Sequence, residues 1–276
     1  YHQPAEGDDA HAVATTLFNG WFSRFQSAVL DDEGLPDVWE PTGGTGRSRA
    51  MTLFMRGRGP GNPEGLSSYN PETEESAFFD VLSTPEIETS DELAVKALID
   101  ALAFFESADG FGSADMAGWL WGYKHTVTFD SVLKDFLGDD PTYAALINPF
   151  SITTEQLPLA AEIPSSDPRS KLTGFPRPGD QYGVDAANPG WSGTSFSYGS
   201  GPVFRMVVEL RPDGVSGLNI LPGGQSAILE SPYFDDQAAL WLGNQAHPLR
   251  FSPEDVAAGA TGRERYVPLT GGGACL

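Results

Sequence analysis

The segment Gly199 to Phe251 decides the fold, and it reads GSGPVFRMVVELRPDGVSGLNILPGGQSAILESPYFDDQAALWLGNQAHPLRF. Its run Val203 to Leu210 is rich in β-branched and large apolar residues, which favour a strand. The turn tripeptide Pro212-Asp213-Gly214 leads into a second extended run, Val215 to Leu221. The pattern therefore predicts a β-hairpin, followed by a helix over Tyr233 to Leu242, where apolar residues recur at helical spacing.

Three stretches, in this order along the chain, resemble parts of the β-subunit of penicillin acylases, which are N-terminal-nucleophile amidohydrolases. WLWGYKHTVTF, Trp119 to Phe129, resembles the family's Trp-Gly-x-x-His-x-x-x-Phe strand. GDQYGVDAANPG, Gly179 to Gly190, is similar to its Gly-Asp-x-x-x-Val-Asn/Asp segment, and GPVFRMVVEL with PGGQSAILESPYFDDQAALWLGN and HPLRF is similar to the end of that subunit. The resemblance extends over roughly Asp9 to Tyr266. It implies an α+β fold that forms part of an αββα sandwich, with long Gly/Pro-rich loops.

The resemblance also implies where the catalytic group lies. In this family the nucleophile is the first residue of the β-subunit, usually Ser, whose α-amine acts as the base after autoproteolytic processing. Residue 1 here is Tyr, and nothing downstream resembles the family's opening stretch or its active-site Asn and Arg. We therefore expect a C-terminal portion of the β-subunit with no catalytic residue of its own, and we leave its substrate-binding residues unassigned.

Partners, location and cofactors are expectations from the same resemblance. The partners would be the rest of the β-subunit with the nucleophile, an α-subunit and a small amide substrate, such as penicillin or an acyl-homoserine lactone. The family is periplasmic or secreted, and we expect the same here. Calcium occurs in some relatives, but this sequence contains no matching ligand set, and no pair of its four histidines has metal-ligand spacing. We expect no metal or other cofactor in this chain.

Charge and composition narrow the class of partner. The formal net charge is −22, from 16 basic and 38 acidic residues. Nucleic acid and anionic membrane surfaces would be repelled, so binding to either is not expected. Hydrophobic residues make up 40% of the chain, which is enough for a sizeable core. The single cysteine, Cys275, excludes an internal disulfide.

The first part of the chain is predicted to be mainly helical. Asp8 or Asp9 begins a helix to about Leu30, in which Val13, Leu17, Trp21, Phe25 and Val29 recur every four residues. This aromatic face is interpreted as ordinary core packing, with an acyl-chain pocket wall as the functional alternative. A short helix is predicted over Glu74 to Leu82, and a longer one from Thr89-Ser90 to Ser107 without a complete capping box. The strand His125 to Phe129 closes this part.

Two Gly/Pro-rich stretches are predicted to be irregular. Pro41 to Pro71 contains four arginines, Arg47, Arg49, Arg56 and Arg58, and their loop is interpreted as pairing with surrounding carboxylates rather than binding an anion. Pro141 to Pro178 is the second stretch, with the alternatives of an interface segment and a surface connection left open. Neither is predicted to be a domain boundary. The chain is therefore predicted to be a single portion over 1–276: helices and a strand over 1–130, loops over 131–178, and strands with a C-terminal helix over 179–270.

Several polar residues are possible participants in chemistry. His125 could shuttle a proton or contact substrate, but we favour a half-buried strand histidine with its ring nitrogens bonded to backbone. Ser131-Val132-Leu133-Lys134 matches the S-x-x-K nucleophile motif, and because the partner motifs S-D-N and K-T-G are absent, we interpret it as chance. Gln225 and Ser226, with Asp235-Asp236-Gln237, are interpreted as polar groups that fix loop backbone and cap the following helix.

Three functions remain open at this stage. The leading one is the structural C-terminal part of an acyl-amide hydrolase. The second is a non-catalytic binding or scaffold protein that retains the same fold. The third is an unrelated hydrolase that uses His125 with a Ser and an Asp.

Overall fold

The computed structural model describes residues 9–34, 43–138, 140–154, 172–177, 179–180, 195–199, 201, 203–212 and 214–262. It divides into two compact units: unit 1 is 1–203 with 226–231, and unit 2 is 204–225 with 232–276. The elements of unit 1 are α1 (Asp9–Leu30), α2 (Gly43–Arg56), β1 (Tyr69–Asn70), β2 (Glu75–Ser76), α3 (Ser90–Glu106), α4 (Trp121–Lys124), β3 (Thr126–Val127), α5 (Lys134–Leu137), α6 (Pro141–Ile147) and β4 (Phe175–Pro176). Those of unit 2 are β5 (Arg205–Arg211), β6 (Gly214–Ile220), α7 (Ala238–Leu242), β7 (His247–Leu249) and α8 (Pro253–Gly259).

The prediction of an α+β class is confirmed, since helices and small antiparallel sheets alternate along the chain. Sheets β1–β2 and β3–β4 have two strands each, and β5–β6–β7 has three. The αββα sandwich stays a prediction, as does the single portion over 1–276.

Helix α1 confirms the predicted N-terminal helix, and its aromatic face is core. Phe25 and Val29 are buried, and Trp21 stacks on Phe25 with ring centroids 5.9 Å apart. The cluster around them also contains residues of α2 and α3, including Met51 and Leu93. Burial of such large apolar side chains contributes about 1.5–3 kcal/mol each, so this cluster is a main source of stability in unit 1.

A second stripe of α1 is buried although it is polar. Its members recur at spacings of three and four residues and are at most 4% exposed: Thr16, Asn19, Ser23 and Gln26. Thr16 and Ser23 donate to carbonyls in the preceding turn of the helix, at 3.1 Å to Ala12 and 2.8 Å to Asn19. These internal bonds satisfy the hydroxyls, which lets the stripe be buried without a large desolvation penalty.

The loop predicted for Arg47 to Arg58 is wrong, because Gly43–Arg56 is helical. The glycines at 43, 44 and 46 lower the intrinsic helix propensity of this stretch, and for that reason the sequence predicted a loop. Packing decided otherwise: Met51 and Phe54 are buried at helical spacing in the α1 cluster. The helix ends at Gly57 (φ 69°), where a Cβ atom would lie 2.3 Å from the Tyr69 ring.

Helix α3 confirms the predicted second helix, but its start corrects the prediction. Thr89 is the N-cap and forms a complete capping box with Glu92, so the prediction of an incomplete box is wrong. The helix predicted over Glu74 to Leu82 is also wrong: this stretch contains β2 and one 3-10 turn, Ala77–Phe79. Glu75 and Ser76 pair with Asn70 and Tyr69 of β1 instead, and the Glu75 carboxylate accepts bonds from the backbone and hydroxyl of Ser90.

The remaining predictions for unit 1 are partly confirmed. The strand predicted over His125 to Phe129 is the short β3, which pairs with β4 so that Val127 lies opposite Phe175. Pro141 to Pro178 is not wholly irregular, because Asp140 caps α6 and Pro141 is its first residue. Residues 155–171 of that stretch lie outside the described residues, as do residues 181–190 of the second resembling motif.

Unit 2 contains the predicted hairpin. β5 and β6 pair in antiparallel register from Arg205↔Ile220 to Arg211↔Gly214, and β7 extends the sheet beside β6. The helix predicted from Tyr233 begins only at Ala238, and no side chain caps it; Asp235 accepts through its backbone carbonyl instead. Near the end of unit 2, Ser252 caps α8 by accepting from Asp255 N at 3.0 Å. Residues 263–276, which include Cys275, lie outside the described residues.

Candidate functional site

The two resembling motifs of unit 1 meet at one buried cluster. Trp121, on α4, is fully buried, and its indole Nε1 donates to the carbonyl of Gly179 at 2.9 Å. Asp180, the next residue, accepts from the amide of Asn19 on α1 at 3.2 Å. A single chain of bonds therefore connects α1, α4 and the Gly179-Asp180 dipeptide.

His125 lies at the centre of this cluster. Its ring is fully buried and stacks on Trp121 with centroids 4.8 Å apart. Nδ1 lies 2.6 Å from the carbonyl oxygen of Phe196, and because that oxygen can only accept, Nδ1 carries the proton. The bond from a ring nitrogen to backbone is confirmed, whereas the expected half burial is wrong: packing by α4 and residues 196–198 covers the whole ring.

Arg177 belongs to the same cluster and was not singled out from the sequence. Its side chain is 1% exposed, and its backbone N–H donates to the carbonyl of His125 at 2.9 Å. A guanidinium is almost never buried so completely unless it is paired, so Arg177 indicates a polar network rather than an apolar core. Its position two residues before the Gly179-Asp180 motif was the one available sequence signal. For Asn19, the available sequence signal was that polar residues recur every three or four positions along α1.

The cluster can orient and stabilise, but its burial separates it from solvent and substrate. A general base must come within hydrogen-bond reach of the proton that it abstracts. The His125 ring is enclosed and its Nδ1 proton is bound to a carbonyl, so the cluster has the chemistry of a structural joint. The hypothesis of a hydrolase that uses His125 gains no support from this geometry.

The S-x-x-K sequence does not form a nucleophile pair. The ammonium of Lys134 forms an ion pair with Asp130 at 2.7 Å, and the Ser131 hydroxyl accepts from the backbone of Leu133 at 3.3 Å. Lys134 is thus paired with the carboxylate of Asp130 four residues earlier, which agrees with the interpretation of this motif as chance.

The arginines of α2 agree in part with the interpretation of carboxylate pairing. Arg47 is buried and forms an ion pair with Asp31 at 3.0 Å. Arg49 donates to the carbonyl of Pro60 at 3.1 Å instead.

The side chains of Ser226 and Gln237 hold backbone in place, whereas Gln225 does so only through its main-chain N–H. Gln225 is exposed, and its N–H donates to the carbonyl of Tyr233 at 2.9 Å. The Ser226 hydroxyl accepts from Ile228 N, and buried Gln237 accepts from Leu221 N at 3.1 Å. Gln237 thus ties the end of β6 to the start of α7.

Within the described ranges, no group of three or more His, Cys, Asp or Glu side chains could hold a metal ion. Nor does the described part contain a helix that is both long and apolar enough to cross a membrane.

The fold and the cluster together define an α+β protein whose two motifs are joined in a buried, hydrogen-bonded core. A family model for penicillin amidase matches residues 6–258. Because this match covers most of the 276 residues, the chain belongs to the penicillin amidase family. No curated protein sequence matches it.

Proposed function

We propose that this chain is the structural C-terminal part of an amidohydrolase that cleaves an acyl-amide bond, in penicillin, an acyl-homoserine lactone or a similar amide. Membership in the penicillin amidase family supports a hydrolase-related function. The nucleophile, a terminal Ser, is located on another segment, where it accepts the acyl group before water releases the acid. The burial of His125 supports the assignment of catalysis to groups outside this chain.

The observation that carries the proposal is the exposed apolar surface of the β5–β6 hairpin. Its side chains are 40–79% exposed although they are strand-forming and apolar: Met206, Val207, Val208, Leu210, Val215 and Leu218. Opposite residues of an antiparallel pair share a face, so Val207 and Leu218 lie on one face and Leu210 and Val215 on the other. Apolar groups on both faces of one hairpin are typical of a strand pair that is enclosed in a larger core.

The edge of the same sheet supports the proposal independently. Among the described strands, β5 pairs with β6 alone, so no described strand occupies its outer edge. A long, apolar and open edge favours pairing with further strands, and natural proteins normally protect such edges. We infer that the rest of the β-subunit continues this sheet and that an α-subunit completes the enzyme.

Location and cofactor use follow as parts of the same proposal. We propose a periplasmic or secreted enzyme whose chemistry needs no cofactor held by this chain. Any calcium site of the complete enzyme would use ligands from other segments.

Co-purification tests the proposal directly. We expect the native protein to contain a companion polypeptide that begins with Ser, Thr or Cys, identified by intact mass and N-terminal sequencing. Leu210→Lys introduces a charge on the hairpin and should release the companion and abolish amide hydrolysis by the complex. The matched control is Val256→Lys on α8, also an exposed apolar residue of unit 2 (51% exposed), which should retain both.

Other outcomes would contradict the proposal. A stable monomer without a companion and without hydrolytic activity would support the scaffold alternative. Robust amide hydrolysis by this chain alone would place the nucleophile within it. Loss of activity in His125→Ala, with unchanged folding by circular dichroism, would support the histidine hydrolase.

A further inference from the structure

Helices α1 and α2 of unit 1 border an apolar groove that is open to solvent and has a volume of about 230 Å³. The α2 residues that line it lie on one face at spacings of three, four, seven and eight residues, and α1 contributes two aromatic rings. The lining residues are Phe22, Phe25, Ser48, Met51, Thr52, Met55 and Arg56. From Ser48 to Arg56 the helix extends about 12 Å, so the groove is elongated.

The polar groups of the groove differ in what they already bind. The Ser48 hydroxyl accepts from the Gln26 amide at 3.3 Å, and the Thr52 hydroxyl donates to the Ser48 carbonyl at 2.9 Å. Arg56 is the single charged residue of the lining, and no acidic side chain in the described part of the chain forms an ion pair with it. Arg47 of the same helix, by contrast, is bound to Asp31.

We propose that this groove binds an amphipathic carboxylate, with the apolar tail between the helices and the carboxylate on Arg56. The volume corresponds to about eight water molecules at about 30 Å³ each, which suits a medium-length chain or a single ring. Met51 and Met55 have flexible, polarisable side chains that adapt to such tails. A guanidinium binds a carboxylate with two parallel hydrogen bonds, which selects it over a neutral or cationic head group.

All lining residues belong to unit 1, and none of them belongs to the cluster around His125 or to the hairpin. The groove site therefore does not rest on the proposed function, and each can fail without the other.

Methionine methyl groups provide a direct probe. The chain has four methionines, of which Met51 and Met55 line the groove while Met116 and Met206 do not. With isotopically labelled methionine methyl groups in the full native protein, assigned by Met→Leu variants, octanoate should shift the NMR signals of Met51 and Met55 only. Octylammonium, which has the same tail and the opposite charge, should shift them much less at equal concentration.

Charge variants test the role of Arg56. Arg56→Gln should weaken octanoate binding about fivefold, which corresponds to about 1 kcal/mol for one partly exposed ion pair. The matched control, Arg58→Gln, removes the same charge two residues away, outside the lining, and should leave the affinity unchanged. Thr52→Phe fills the groove from an exposed position and should abolish the shifts.

Three results would overturn the proposal: no shift with octanoate, equal shifts with octylammonium, or equal weakening by Arg56→Gln and Arg58→Gln. Equal weakening would mean that the basic end of α2 attracts anions in general. Equal shifts with both amphiphiles would mean that the groove binds apolar tails whatever the charge of the head group.

Discussion

The buried clusters of unit 1 and the hairpin of unit 2 differ in how far their side chains are enclosed. In unit 1 even polar residues are enclosed: Gln26 and His125 have no exposed surface. In the hairpin, Val207 and Leu210 are 69% and 79% exposed although they are apolar. Unit 1 completes a core from its own helices, whereas the hairpin presents core-type side chains to solvent. This difference is the reason for proposing that the hairpin packs against another segment of the enzyme.

The largest expected loss of stability is in the core around α3, and it tests whether unit 1 and the hairpin really differ in burial. Phe105 is fully buried and packs against the rings of Phe111, Trp119 and Phe196. Phe105→Ala should lower the free energy of unfolding of unit 1 by about 3–5 kcal/mol, measured by amide hydrogen exchange in α3. Leu210→Ala in the isolated chain should cost less than about 0.5 kcal/mol. Similar costs at both positions would mean that the hairpin side chains are already buried in this chain.

A smaller loss of stability is expected when the hydrogen bond between Trp121 and Gly179, which joins the two resembling motifs, is removed. Trp121→Phe keeps an aromatic ring but removes the indole donor to the Gly179 carbonyl. Loss of that bond should destabilise unit 1 by about 1–3 kcal/mol, measured by the same exchange experiment. Tyr143→Phe, at a 43% exposed position on α6, serves as the control and should be nearly neutral. If Trp121→Phe is also neutral, the bond contributes no stability.

The smallest effect concerns the acidic end of α1. Partial burial, together with the neighbouring Asp32 and Asp80, raises the pKa of Glu33 above its usual value. A carboxyl with a raised folded-state pKa destabilises the fold once the pH exceeds the unfolded pKa of about 4.3. Glu33→Gln should therefore slightly raise the melting temperature at pH 7, and the gain should vanish below about pH 4. A gain that persists at low pH would rule out this electrostatic cause.

The sequence correctly predicted the elements with strong local patterns. α1 and α3 repeat apolar residues at helical spacing, and the hairpin combines β-branched runs with a Pro-Asp-Gly turn. It failed at α2, where glycines imply a loop and only packing of Met51 and Phe54 favours a helix. It also failed for Arg177 and Asn19, whose partners are distant in sequence.

The sequence by itself determined the family, the α+β class and the main helices and hairpin, because periodicity and motif order are local properties. The tertiary structure decided that His125 is enclosed, that Asn19 meets Asp180, and that α2 forms a groove with α1. These depend on contacts between residues far apart in the chain. Local spacing can indicate which face of a helix is buried, but it does not indicate which distant residue packs against that face.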